Sequence, residues 1–295
     1  MSQSKSASIL ITGATGNVGK ELVKYLATKE VPFRAMVRSM DRSKDLESIT
    51  LPGVEIIKGD FNDPESLENE IKGIEKAFLL TNSSELAEQQ QTAFVMAAAR
   101  AGVKHIVKLS QWAADVNSPV RFLRYHAVIE NLIKESGMAY TFLRPNLFMQ
   151  GLLGFRETII RQNQFFGAIG DSRISMVHTS DIAAAAGEAL TSSAHEGKVY
   201  DLTGPESLTH YEMAEKLSAA LGRQIEFVDI TPNDLKQTLL YVGFTEWQAE
   251  GLVEDYAHYK LGEAAEVKSG VREATGKQAR SFDFFVNEYA SQFSV

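Results

Sequence analysis

Within the first twenty residues an apolar run, 8–12, passes directly into Gly13-Ala-Thr-Gly16-Asn-Val-Gly19. Residues 17–28 then place Val18, Leu22, Val23 and Leu26 at helical spacing. Few chain geometries accommodate that succession. Three glycines between a strand and a helix describe a turn that is tight, open on its outer side and closely packed on its inner side. Gly13 lets the chain reverse, Gly16 removes a Cβ from the outer surface, and Gly19 lets the helix lie close to the sheet. Such a turn leaves the first N–H groups of the helix unpaired, beside the positive end of its dipole. A phosphate or pyrophosphate is the partner that fits. Thr15, Asn17 and Val18 complete the expected cradle.

The same rhythm continues beyond the turn. Apolar runs at 33–37, 54–58, 76–80, 105–109 and 140–144 alternate with helical stretches beginning at 62–65 and spanning 84–101 and 119–136. Pro64 suits a first helical turn, and Gly102 and Gly137 suit helix ends. The strands are continuous apolar runs, as expected where both faces of a sheet are covered. The expected fold is therefore α/β, a Rossmann-type doubly wound parallel sheet. After residue 146 the pattern becomes mixed: helices at 152–163, 179–190, 209–221, 234–240, 246–261 and 282–293, with strands at 174–177, 199–202 and 225–228. Residues 1–146 read as the dinucleotide-binding domain. Residues 147–295 read mainly as a smaller mixed α+β substrate lobe, with some segments returning to the sheet.

Composition narrows the partners. A net charge of −8 over 295 residues argues against a nucleic-acid surface, which needs clustered Lys and Arg. Cysteine is absent, and the six histidines show no metal-ligand spacing, so no metal site is expected. No run approaches the roughly 18 apolar residues of a membrane span, and the polar stretch Met1–Ser8 lacks the apolar core of about 7–15 residues that a secretory signal needs. A cytoplasmic protein is expected.

Strand ends supply the next clues. Arg38 closes the second run, where a carboxylate would hold the ribose 2′-hydroxyl of NAD(H). A guanidinium there pairs with a 2′-phosphate instead, favouring NADP(H) over NAD(H), and Arg42 is placed to assist. Asp60 and Phe61 after the third strand suit the adenine, and Thr81 and Asn82 after the fourth suit the nicotinamide ribose. Loop capping is the competing account of Asp60 and Asn82.

The Gly-x-x-Gly-x-x-Gly spacing resembles the short-chain dehydrogenase superfamily, in its extended and atypical branches. That resemblance implies a Tyr-x-x-x-Lys pair on the helix after the fifth strand. The two such strings here, Tyr25/Lys29 and Tyr256/Lys260, lie elsewhere and read as chance. The helix in question carries His126 and Glu130 instead, one turn apart. Together with Val37-Arg38, Leu143-Arg-Pro-Asn-Leu-Phe-Met149 and Leu202-Thr-Gly-Pro205, this resembles the NmrA-like group of atypical members. The resemblance implies either an NADPH-dependent reductase of quinones or other small aromatic electrophiles, or a non-catalytic NADP(H) sensor acting through a protein partner. A sugar-nucleotide epimerase ranks below both, and a homodimer is compatible with either. His126 is a candidate proton donor oriented by Glu130, or one half of a pair that merely shapes the pocket; Ser110 is a candidate substrate contact. Gln111, Trp112, Tyr125, Phe148 and Met149 are expected pocket walls, and 178–181 an anchor at a helix start capped by Thr179 or Ser180.

Overall fold

A computed structural model, which describes residues 7–46 and 53–294, builds the chain around a seven-stranded parallel sheet. The first half supplies β1 (Ile9–Ile11), β2 (Phe33–Val37), β3 (Val54–Lys58), β4 (Lys76–Leu79), β5 (His105–Leu109) and β6 (Ala139–Pro145). The second half supplies β7 (Gln164–Gly167), β8 (Arg173–Ile174), β9 (Lys198–Leu202), β10 (Leu208–Thr209) and β11 (Glu226–Asp229). The sheet order is β3-β2-β1-β4-β5-β6-β9. The chain crosses back from the edge strand β3 to lay β4 beside β1, which opens a crevice at the carboxyl ends of those two strands. Outside the sheet, β7 pairs in parallel with β11, and β8 pairs antiparallel with β10.

The helices are α1 (Asn17–Thr28), α2 (Pro64–Ile71), α3 (Ala87–Ala101), α4 (Arg121–Glu135), α5 (Arg156–Gln162) and α6 (Thr179–Thr191). They continue with α7 (His210–Leu221), α8 (Pro232–Tyr241), α9 (Glu246–Lys260), α10 (Gly270–Thr275) and α11 (Phe282–Tyr289). One face of the sheet is covered by α1 and α6, whose Leu22, Leu26, Ile182 and Ala186 bury against Ile11, Val37 and Val107. The other face carries α2, α3 and α4, with Leu67, Phe94 and Ile129 on Leu10, Leu79 and Ile106. A second core, including Phe165, Met213, Phe227 and Phe285, holds the smaller lobe together. Among the described residues no helix is long and apolar enough to cross a membrane.

Most differences from the sequence-based expectation lie in the second half. The stretch expected as a helix over 152–163 begins as a 3₁₀ segment, Met149–Phe155, before α5. Gly151 and Gly154 weaken α-helical propensity there. The short strand β7 and helix α10 carry no periodic signal of their own and form on tertiary partners. At α6 the cap is neither Thr179 nor Ser180: His178 Nδ1 accepts from Ser180 N at 3.2 Å, while its Nε2 meets Glu288 at 2.9 Å. Asp181, in the first turn of α6, accepts from the backbone N–H of Arg280 at 2.7 Å.

The two lobes are joined next to the crevice. The Arg121 guanidinium at the start of α4 reaches Glu254 at 2.7 Å and Glu250 at 3.1 Å, both on α9. Gln248 of α9 donates to the Ser83 carbonyl at 2.6 Å, beyond β4. Helix α9 thereby lies across the open end of the sheet.

Candidate active site

A cavity of about 1310 Å³ runs along the carboxyl ends of the central strands, from the 13–18 turn to α4 and α9. At its first end Gly13 has φ +64°, and its Gly13 carbonyl accepts from Gly16 N at 3.0 Å. A Cβ on Gly13 would meet Leu80 at 2.9 Å. A Cβ on Gly16 would meet only the Gly13 carbonyl oxygen, at 3.4 Å, so nothing in the protein demands glycine there. That open outer surface is what a pyrophosphate approaching the backbone requires. No side chain caps α1, and its first turn holds no acidic residue, so its N–H groups face the cavity unopposed. Gly19 does not line the cavity; a Cβ there would stand 2.1 Å from the Gly13 carbonyl oxygen and 2.8 Å from Ala14 Cα. Its closeness is to the turn itself rather than to the sheet. Gly19→Ala is expected to destabilise the fold by about 1–3 kcal/mol and to weaken dinucleotide binding at least ten-fold, measured by urea unfolding and by titration of NADPH fluorescence.

Thr15, Asn17 and Val18 line the same end. Arg38 lies exposed at the end of β2 on the cavity wall, with Asp41 of the following 3₁₀ turn nearby on the same wall. The side chain of Arg42 lies outside the described residues. Asp60, Phe61, Thr81 and Asn82 all line the cavity. Asp60 Oδ1 also accepts from Asn62 N at 2.9 Å in a local turn, and Phe61 packs on Phe94 at 5.7 Å between ring centroids. Thr81 Oγ1 accepts from Gln91 at 2.8 Å, leaving its hydroxyl proton free for a ligand. The two features expected of an NADP(H) groove, an uncapped helix start and a cation at the end of the second strand, thus line one cavity.

At the other end the structure parts His126 from Glu130. His126 lines the cavity, but its Nδ1 is 2.8 Å from Lys108 Nζ, which also donates to the Leu109 carbonyl at 2.9 Å. Glu130 sits behind the wall, taking both arms of the Arg144 fork at 2.9 and 2.5 Å and the Ser110 hydroxyl at 2.6 Å. Glu130 therefore does not orient His126, although they lie one turn apart on α4. Each meets a different strand, His126 the residue from β5 and Glu130 the residue from β6. Ser110 lines the cavity too, yet its one hydroxyl proton is committed to Glu130, so it offers a ligand only lone pairs.

Charge states follow from burial. With no carboxylate in contact, burial brings the Lys108 ammonium down from the usual lysine range to about 7, against the pull of Glu130. Burial, reinforced by the Lys108 charge, holds the His126 imidazole neutral by pushing it well below its ordinary value. Across the cavity, Asp255 of α9 accepts from Gln111 Nε2 at 3.1 and 3.0 Å. Burial raises this carboxyl to about 7, with the Gln111 hydrogen bond acting the other way. Tyr125 lines the wall between them, its hydroxyl 3.1 Å from Ser83 Oγ and its ring 4.2 Å from that of His126. Phe122, Phe244 and Tyr259 add aromatic surface.

Gln111 and Phe148 are walls as expected, whereas Trp112 and Met149 are not. Trp112 turns away and donates to the Glu263 carbonyl at 3.0 Å, and Met149 is buried in the second core. The segment at 178 lies outside the cavity lining. Tyr25 and Lys29 both bind Glu188 of α6, at 2.5 and 2.6 Å, and Tyr256 packs in the smaller lobe. Sequence reasoning missed Lys108 and Asp255. A lysine inside the buried run His105-Ile-Val-Lys-Leu was a usable signal, since that residue type is almost never fully buried without a task. Asp255 offered none, lying in a helix rich in polar residues.

The sequence pattern of the NmrA-like family matches residues 5–283. The chain is 36% identical over 287 residues to a protein named NAD(P)H azoreductase from Xenophilus azovorans, covering 97% of this chain and 99% of the other. Among solved structures, an NADPH-dependent quinone oxidoreductase from Escherichia coli complexed with NADPH superposes with a TM-score of 0.85 at 27% identity, covering 96% of this chain and 99% of that one. A triphenylmethane reductase from Citrobacter sp. complexed with NADP(H) gives 0.83 at 28% identity, with 96% and 100% coverage. The fold is thus shared with these reductases over nearly the whole chain, and the chain belongs to the NmrA-like family.

Proposed function

We propose that this protein is an NADPH-dependent oxidoreductase that passes a hydride to a quinone, or to a similar small aromatic electrophile such as an azo compound or a dye. The observation that carries this reading is the single groove joining the 13–18 turn and Arg38 to an aromatic-walled end holding His126 and Asp255. Bound NADPH supplies the hydride. The chain's residues supply the rest. The turn and the start of α1 hold the pyrophosphate, and Arg38 takes the 2′-phosphate. Tyr125, Phe148 and Phe244 stack on a flat acceptor. Neutral His126 presents its unbonded ring nitrogen to the acceptor's heteroatom. The lack of a Tyr–Lys pair suits acceptors whose reduced form is protonated easily. The azoreductase and the two reductase structures above support the same class of substrate.

Turnover of NADPH, followed by its absorbance against a panel of quinones, azo compounds and cationic dyes, tests the reading. Tight NADPH binding with no oxidation by any acceptor would refute it in favour of a sensor. Arg38→Ala is expected to weaken NADPH roughly 10- to 100-fold, the size of a lost charge-assisted pair, and to leave NADH nearly unchanged. Equal losses for both nucleotides would remove Arg38 from the 2′-phosphate site.

A further inference from the structure

Lys108 is paired with Leu79 on one side and Phe142 on the other, but its ammonium takes no part in the sheet. It sits mid-strand in β5, fully buried, where a methionine would fill the same space without a desolvation penalty. Its Nζ has two hydrogen-bond partners, the Leu109 carbonyl and His126 Nδ1. Lys108 does not reach the cavity, whereas His126 does. Among the described residues His126 Nε2 has no partner. The imidazole therefore stands between a buried ammonium and the acceptor end of the groove.

We propose that Lys108 is the proton source for the reduced acceptor and works through His126, fixing its Nε2–H tautomer and refilling Nδ1 as the Nε2 proton leaves. This rests on the reductase reading. Hydride transfer leaves a negative charge on the acceptor oxygen or nitrogen. The N–H bond at His126 Nε2 breaks and its proton bonds to that atom. Nδ1 takes a proton from the Lys108 ammonium, leaving a neutral amine. One anion and one cation become two neutral groups, with no further reactant. After product leaves, water protonates Nε2 and Nδ1 returns its proton to Lys108. The groups facing Lys108 suit this exchange. From α4 these are His126 and Glu130, and Glu130 is occupied by Arg144 of β6 and by Ser110. Glu130 favours the ammonium electrostatically but is not among the hydrogen-bond partners of its Nζ. A midpoint near 7 leaves Lys108 able both to lose and to regain that proton at neutral pH. Lys108 is thus a positioning and proton-supplying residue, and His126 is the one that touches the acceptor.

Lys108→Met separates this role from a structural one. Quinone turnover should fall at least ten-fold more than turnover of a cationic triarylmethane dye, because hydride neutralises the dye and no proton is required. Equal losses on both acceptors, or none on either, would overturn the relay. A second readout needs no turnover. With ¹⁵N-labelled histidine, NMR of the wild-type protein should show His126 as the Nε2–H tautomer at pH 6, with Nδ1–H growing as pH rises through about 7. Lys108→Met should abolish that transition while the variant still binds NADPH. A tautomer ratio that is constant with pH in the wild type, or unaltered in the variant, would sink the proposal. Failure of every acceptor would sink the reductase reading and leave the NMR result to judge the Lys108–His126 coupling alone.

Discussion

Asp255→Asn is expected to stabilise the protein by about 4 kcal/mol near pH 8 and by almost nothing near pH 4. The sign follows from the direction of the shift. Burial raises the Asp255 carboxyl from the ordinary carboxylate value to about 7 in the folded protein. Between roughly pH 4 and 7 the folded chain holds a proton that the unfolded chain has released, so stability falls as pH rises through that window. Above 7 the folded protein carries a buried carboxylate met by the Gln111 amide donor and the Tyr259 hydroxyl, with no cation beside it. An asparagine keeps an acceptor for Gln111 and cannot ionise. Urea unfolding of both proteins at the two pH values measures the difference. A gain of equal size at both would mean that Asp255 is ionised throughout. Asp255 lines the cavity, and with its midpoint at about 7 the protonated carboxyl, a hydrogen-bond donor, predominates below neutral pH.

Arg144→Met is expected to destabilise the fold by about 3–5 kcal/mol, since it strands the buried Glu130 carboxylate with only the Ser110 hydroxyl as donor. The pair itself contributes far less than that. Adding Glu130→Gln to Arg144→Met should therefore recover much of the loss, as removing both charges removes the unpaired one. Unfolding midpoints of the two single variants and the double variant form the cycle. If the double variant is as unstable as the sum of the two singles, the fork is not what keeps Glu130 in place. The same fork has a consequence at the site, because it draws Glu130 away from His126 and leaves the imidazole to Lys108.

How much of this was legible beforehand differs between the two halves. Helix α1 and strands β2, β3 and β5 fall where residue spacing predicts them, and the glycine turn occupies the groove end predicted from its chemistry. Local physics dominates there: a glycine-bearing turn, apolar runs with both faces covered, and amphipathic helices each report their own state. The second half resisted because its strands are short and pair across long separations. Strand β7 rests on β11, some 60 residues later, and β9 on β6. Within the site, Arg38, Asp60, Phe61, Thr81 and Asn82 were placed on the groove from their positions at strand ends, while Trp112 and Met149 turned out to face elsewhere.

The order of residues alone determined the parallel sheet, the glycine turn and the absence of a Tyr–Lys pair from α4, because each is written in spacing along one segment. The partners of His126 and Glu130 were decided only in three dimensions. Helical spacing puts the two side chains on a common face, but β5 and β6 lie beneath that face and carry Lys108 and Arg144. Those strands bring stronger or closer partners than the neighbour one turn away. Asp255 acquired its raised carboxyl pKa in the same manner, through burial where Arg121 and Gln248 hold α9 across the groove. Burial is a property of the assembled molecule, and it is burial that sets the protonation state of each acid and base in this site.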